Sequence, residues 1–157
     1  MAFDRKKQFD KDLLAGEASE RLIAKKLKKL WKAKDVSFNK TKHFDIVFSF
    51  TNGTEKTVEV KTDFLAGTKY QNSFLEVACS GKPSGLATTT AHIYVIYVPF
   101  LNKAYSFPPK EMLGYLYSIE GAKHRKVNGG DQGRASGHLL PLSVLENLIF
   151  VEEFLVK

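Results

Sequence analysis

The chain has 157 residues, 43% of them hydrophobic, enough for one core and too few for two ordinary domains, so residues 1–157 are expected to form a single domain. Its one cysteine, Cys79, excludes an intramolecular disulfide and leaves a Cys/His metal cluster short of ligands, while the formal net charge of +7 favours a polyanionic partner, most often nucleic acid. No apolar run reaches the length of a membrane span, and Met1-Ala2-Phe3-Asp4-Arg5-Lys6-Lys7 leads into no signal-peptide stretch, which predicts a cytoplasmic protein without membrane contact.

The first predicted element is an amphipathic helix over Phe9 to Lys34, with Leu13, Ile23, Ala24, Leu27, Leu30 and Trp31 as its apolar stripe. Glu20 falls inside that stripe: at about 100° per residue, Leu13 and Trp31 lie about 20° to one side of it and Leu27 about 20° to the other. A carboxylate facing a core needs a partner, so Glu20 reads as a metal-site acid or as half of a buried ion pair. Glu17, nearer the edge of the stripe, is the other candidate for the helix acid and also reads as a partly solvated one. Lys25, Lys26, Lys28, Lys29, Lys32 and Lys34 cover the outer face and continue through Lys40 and Lys42, a pattern that suits plain solvation as well as phosphate contact.

Two strands follow, Phe44 to Phe50 and Thr57 to Lys61, with Thr51-Asn52-Gly53 between them as a hairpin signal. A two-residue Asn52-Gly53 turn would pair Asp45 with Val60 and throw Asp45 and Glu59 onto opposite faces. A three-residue loop, with a type I turn over Thr51 and Asn52 and Gly53 in the left-handed bulge position, pairs Phe50 with Thr54 and Asp45 with Glu59. Opposed carboxylates have Cβ atoms only about 5 Å apart and repel one another, so a cation between them is the natural partner. Period-two alternation then sets Lys61 on the face of Glu59. An acid-x-lysine triplet is common on any solvated sheet face; the opposed Asp45 and the helix before it give Glu59-Val60-Lys61 its metal-site reading.

Further along, Phe74 to Ala78 and Ile93 to Val98 suit sheet strands, the second nearly continuous in apolar residues and therefore central. Glu76 reads either as a further metal- or water-positioning acid or as an edge-strand surface residue. Gly81-Lys82-Pro83-Ser84-Gly85 lacks the P-loop spacing, which argues against ATP use, yet Lys82 and Ser84 could hold a DNA phosphate or simply sit in a turn. Pro109 to Ile119 is a predicted short helix with proline in its first turn. Lys123-His124-Arg125-Lys126, in the loop running to Gly133-Arg134, is a basic glycine-rich segment that suits a DNA backbone or a flexible connector. Leu139 to Leu142 reads as a brief strand, and Ser143 with Glu146 as the capping box of a closing helix, Val144 to Leu155. The expected class is α/β, a mixed β-sheet flanked by helices on both faces.

A helix with an inward glutamate, then Asp45, then Glu59-Val60-Lys61 on the partner strand resembles the PD-(D/E)XK nuclease superfamily over about residues 9 to 98. His43-Phe44-Asp45 has no proline before the acid. Asn72-Ser73-Phe74-Leu75-Glu76-Val77 followed by Gly81-Lys82-Pro83-Ser84-Gly85-Leu86 is similar to small phage-type members, which often carry an aspartate before the next aromatic strand where this chain has Ala91-His92. The resemblance implies a restriction-endonuclease-like core and a Mg²⁺-dependent DNA endonuclease, with Mn²⁺ substituting. In it Asp45 and Glu59 would bind the metal, the Val60 carbonyl would add a ligand, Lys61 would orient or help deprotonate the attacking water, and Glu20 would complete the shell or hold a ligand water. Lys82, Ser84, Lys123, Arg125, Lys126 and Arg134 are the expected DNA contacts. Size and basicity resemble Holliday-junction resolvases, which implies branched DNA and a homodimer, with Tyr94, Tyr97, Phe100, Tyr115 and Tyr117 as the source of its apolar surface. The alternatives are a nuclease of DNA ends, nicks or flaps, and a catalytically silent DNA-binding module on the same fold.

Overall fold

The computed structural model describes residues 4–39, 43–129 and 133–157. It is an α/β structure with a mixed sheet and three helices. Helix α1 (Arg5–Trp31) opens where the Asp4 side chain accepts the Lys7 N–H, and closes at Lys32, whose left-handed backbone (φ 53°) ends the helix beside Lys28 and Lys29. Cations there suit the negative end of the helix dipole. Six strands form the larger sheet: β1 (Asp35–Phe38), β2 (Ile46–Ser49), β3 (Glu55–Thr62), β6 (Ile93–Val98), β7 (Lys103–Phe107) and β10 (Glu152–Leu155), adjacent in that order. The β3–β6 pair is parallel and its neighbours are antiparallel.

Each face of this sheet has its own core. Ile23, Ala24 and Leu27 of α1 pack on Ile46, Phe48, Val58, Val60, Val95 and Tyr97, with Trp31 edge-on to Phe48 at 5.0 Å. Truncating a side chain as buried as Leu27 costs about 2–5 kcal/mol. The opposite face, carrying Tyr94, Ile96, Val98, Tyr105 and Phe107, is covered by Met112 and Leu116 of α2 (Pro109–Leu116), Leu142 and Leu145 of α3 (Leu142–Leu145), and Leu75 and Val77. Strand β6 is therefore buried on both sides, as its continuous apolar run predicts.

Leu75 and Val77 come from β4 (Asn72–Cys79), which corrects the expectation of one sheet. Strand β4 belongs to a second, four-stranded antiparallel sheet in the order β5 (Lys82–Pro83), β4, β9 (Ala135–Pro141), β8 (Lys126–Gly129). Strand β8 occupies part of the segment expected to be a loop, and β9 extends the brief strand expected at Leu139 to Leu142. Strands β1 and β7 were not foreseen.

The closing helix is also corrected. Only one turn forms at α3, and residues 152–155 pair with β7 instead. Glu146 is engaged by the Tyr105 hydroxyl at 3.0 Å and the Lys103 ammonium at 3.9 Å, so its carboxylate serves tertiary contacts and the expected capping box does not form. Of the α1 stripe, Leu13 and Leu30 are exposed, because the packed portion of the helix centres on Ile23 to Leu27. Tyr94 and Tyr97 are core residues, which removes them from the expected dimer surface.

Candidate functional site

The β2–β3 hairpin adopts the three-residue loop. Phe50 N–H donates to Thr54 O at 2.9 Å, Gly53 N–H donates to Phe50 O at 3.0 Å, and Gly53 takes φ +83°, a backbone that glycine adopts without steric cost. The Asn52 side-chain oxygen accepts the Thr54 N–H at 3.0 Å. The register then runs Ser49 to Glu55, Phe48 to Lys56, Val47 to Thr57 and Ile46 to Val58, where the ladder of paired residues ends one step short of Asp45 and Glu59.

At that step the regular ladder gives way to a side chain. Asp45 N–H donates to Val58 O at 2.9 Å, and Asp45 Oδ2 accepts the Val60 N–H at 2.8 Å. Asp45 is thus fixed by its own amide and its carboxylate to the two residues flanking Glu59. Glu59 is half-buried, and its Oε2 is buried with no hydrogen-bond partner. Burial pushes the Glu59 carboxyl above its ordinary value and the Asp45 charge adds to this, while the Thr89 hydroxyl, Lys61 and His43 pull the other way. Lys61 itself is exposed.

Thr89 reaches the site from the loop after β5, and His43 from the segment before β2. Thr89 Oγ1 donates to His43 O at 2.8 Å, and Thr90 N–H donates to the same oxygen at 3.3 Å. Their part in the site is a long-range contact that the sequence signals only as a threonine run, Thr88-Thr89-Thr90. Tyr94 is the β6 register partner of Glu59 and is buried. Burial drives its phenol well above 10, reinforced by Glu59, Glu76 and Asp45, so Glu76 shares this electrostatic environment. Glu76 Oε2 in turn accepts the Ser84 hydroxyl at 3.0 Å, which anchors the loop carrying Lys82 and Ser84 beside it.

Glu17 and Glu20 are half-buried and line a different cavity of about 160 Å³ with Arg21 and Phe38. Among the described residues no group of three or more His, Cys, Asp or Glu is placed to hold a metal ion, so Glu20 does not join Asp45 and Glu59 in such a cluster. The sheet explains the separation. Helix α1 covers the face of Val58 and Val60, whereas alternation sends Glu59 and Lys61 to the other face.

The basic residues of the second sheet fall into two places. Arg134 O accepts the Ser80 N–H at 2.9 Å, bringing Arg134 to the turn that carries Lys82. Lys123, paired with Glu120 at 3.1 Å, and Arg125 precede β8, and Lys126 sits in it opposite His138. Lys40 and Lys42 lie outside the described residues. His92 Nδ1 accepts the Thr57 N–H at 3.0 Å and its own N–H donates to Thr57 Oγ1 at 3.1 Å, a clamp between β6 and β3.

A buried carboxylate oxygen without a hydrogen-bond partner, under the charge of a second carboxylate, is an environment that a divalent cation satisfies. Mg²⁺ is usually held by one or two carboxylates with water in its remaining positions, so the Asp45–Glu59 pair fits it without a third acid. No helix among the described residues is long and apolar enough to cross a membrane. No family model, curated protein or solved structure matches the chain.

Proposed function

We propose that this chain is a metal-dependent DNA endonuclease with a restriction-endonuclease-like core of the PD-(D/E)XK type. The observation that carries it is the buried Glu59 Oε2 without a hydrogen-bond partner, with the Asp45 carboxylate bonded to the next residue, Val60, and Lys61 two residues along the same strand. Two acids held close together, one of them buried, favour a cation between them, which weighs against a silent DNA-binding module. Asp45 and Glu59 would hold Mg²⁺ or Mn²⁺, with the Val60 carbonyl as a further ligand. The ion would supply the positive charge that acidifies a water and offsets charge on the scissile phosphate.

The protein's own groups do the rest. Lys61 orients the attacking water and stabilises the charge that builds on the phosphate. Asp45, tied to Val58 and Val60, keeps the two acids in register. The loop holding Lys82 and Ser84, with Arg134 beside it, would contact the phosphate backbone, and phosphate contacts of this kind set orientation.

Branched DNA of the Holliday-junction type, cut by a homodimer, is the first substrate reading. A nuclease of ends, nicks or flaps is the second, favoured by exposed aromatic residues close to Lys61. Incubating the protein with junction, flap, linear duplex and single-stranded DNA, in Mg²⁺ and in EDTA, tests the proposal. Mg²⁺-dependent cleavage of any of the four supports it, and no cleavage of all four with either Mg²⁺ or Mn²⁺ overturns it.

A further inference from the structure

The chain leaves β3 just beyond Lys61 and forms a tightly held loop that presents apolar side chains outward. Asp63 organises it. One carboxylate oxygen accepts the Leu65 and Ala66 N–H groups at 3.1 and 2.9 Å, and the other accepts the Ser73 hydroxyl at 2.9 Å and the Phe74 N–H at 3.3 Å. Asp63 N–H donates to Tyr97 O at 2.8 Å, and Gly67 N–H donates to Tyr70 O at 2.9 Å. Gly67, at φ +81°, lies so close to Leu101 that a Cβ there would stand 2.6 Å from its Cγ. The turn after β6, with Phe100, is therefore packed against the same loop.

On this fixed frame Phe64 is 53% exposed, Leu65 64%, Tyr70 47% and Phe100 66%. The Lys69 ammonium lies 5.1 Å from the Tyr70 ring centroid, and Lys61 is exposed three residues before Phe64. A loop held by these hydrogen bonds that nonetheless exposes aromatic rings is ordered for a partner with flat apolar faces. The Lys69 ammonium over the Tyr70 ring, and the exposed Lys61 nearby in the chain, favour a partner that is also anionic. Unpaired nucleotides combine both properties, and stacking on aromatic side chains is tolerant of base identity.

We infer that the Phe64–Tyr70 loop is a stacking platform for unpaired nucleotides, placed to receive a single-stranded segment next to the Asp45–Glu59–Lys61 site. This deepens the nuclease reading and rests on it for the site, though not for the binding. Three residues of extended chain span at most about 11 Å between Cα atoms, so Phe64 and Lys61 belong to neighbouring parts of the chain. The substrate class is DNA with an unpaired strand, as at a flap, a splayed arm or a frayed end.

The test separates binding from cleavage. Affinity for a fluorescein-labelled oligothymidylate and for a labelled duplex is measured in EDTA, for the full chain and for Phe64→Ala, Tyr70→Ala and the double variant, with thermal melts to establish that each is folded. Each single variant is expected to weaken oligothymidylate binding about fivefold or more and to change duplex binding by less than about twofold. Tyr70→Phe, which keeps the ring, should restore binding. Unchanged oligothymidylate affinity in the folded double variant, or an equal loss on duplex, overturns the platform. A changed sedimentation coefficient with unchanged DNA affinity assigns the loop to a protein interface and also overturns it. Selective loss of single-strand binding in a protein that cleaves nothing in Mg²⁺ sustains the platform while removing the nuclease reading.

Discussion

The Asp45 carboxylate accepts the backbone N–H of Val60 at 2.8 Å, so an acidic side chain replaces a rung of the β2–β3 ladder immediately beside Glu59. This fixes one acid against the strand that carries the other. The pair is therefore held together by the backbone, and the Asp45 charge adds to the upward push that burial gives the Glu59 carboxyl.

The first prediction concerns chemistry. Glu59→Ala, Asp45→Asn and Lys61→Ala should each reduce DNA cleavage by at least about 10²–10³-fold, the first two while leaving DNA affinity nearly unchanged. Glu20→Gln, at a residue lining a separate cavity, should cost much less. Single-turnover cleavage and equilibrium binding measure the two effects, and full cleavage by any of the first three variants would remove this site.

The second concerns stability and metal. The Glu59 carboxyl is raised above its ordinary 4.5, chiefly by burial. A raised acid binds more protons in the folded chain, so its favourable contribution is present below the ordinary value and is lost as pH rises through the folded one. At neutral pH without metal, Glu59→Gln should thus raise the melting temperature, and the gain should vanish toward pH 4. Mg²⁺ should stabilise the parent chain, by about 2.7 kcal/mol at a hundredfold excess over Kd, and should have little effect on Glu59→Gln. Melts across pH and MgCl₂ concentration decide it.

His138 gives a third prediction, independent of function. It is buried on β9 with neither ring nitrogen hydrogen-bonded, edge-on to Tyr117, and burial lowers its pKa below 6.5, helped by Lys126 and His124. A lowered base binds fewer protons in the folded chain, so stability is complete above 6.5 and falls as pH drops through that value toward the folded one. His138→Phe should weaken this acid sensitivity and leave stability at pH 7.5 equal or higher, since no hydrogen bond is lost. Denaturation midpoints at pH 7.5 and 5.5 provide the comparison.

The hairpin was legible from sequence because one residue decided it: glycine in third place after Thr51-Asn52 selects the loop, and the loop sets the register from Ser49–Glu55 to Ile46–Val58. The central position of β6 followed from its apolar run, and the outline of α1 from its periodicity. Contacts made at long range did not show. Thr89 and His43 meet at the site from segments 46 residues apart, and Asp63 clamps β3 to β4 with a carboxylate that looks like any loop acid. Residues 152–155 carry an ambiguous apolar pattern, and pairing with the open edge of β7 decides for strand over helix. Glu20 shows the limit of periodicity, which identifies a helix face but not which face of the sheet it covers.

A fourth prediction tests the origin of the net charge. Neutralising phosphates with Lys and Arg releases counterions, so the logarithm of affinity should fall with the logarithm of salt with a slope near −0.9 per phosphate on duplex DNA. Charge reversal at Arg125 and Lys126, beside the second sheet, should flatten that slope by roughly two such contacts. Reversal at Lys26 and Lys29 of α1 should change it less. Equal and negligible effects from both pairs would leave the basic character unrelated to DNA.

The last prediction separates junction resolution from general cleavage. A four-way junction is two-fold symmetric, and paired cuts across it require two copies of the Asp45, Glu59 and Lys61 set related by a symmetric interface. Tyr94 and Tyr97 are consumed by the core, which leaves Phe100 and Tyr117 as the exposed members of the aromatic set first considered for that interface. A resolvase should sediment as a dimer at micromolar concentration, bind a junction far more tightly than a linear duplex of the same arm sequence, and release symmetrically nicked duplexes. If Phe100 instead serves single-strand stacking, a monomer should cut flaps and splayed arms in preference to junctions, and Phe100→Ala should lower flap cleavage without altering sedimentation. Sedimentation velocity and cleavage of matched junction and flap substrates give opposite results for the two cases, while loss of activity in Glu59→Ala is expected in both.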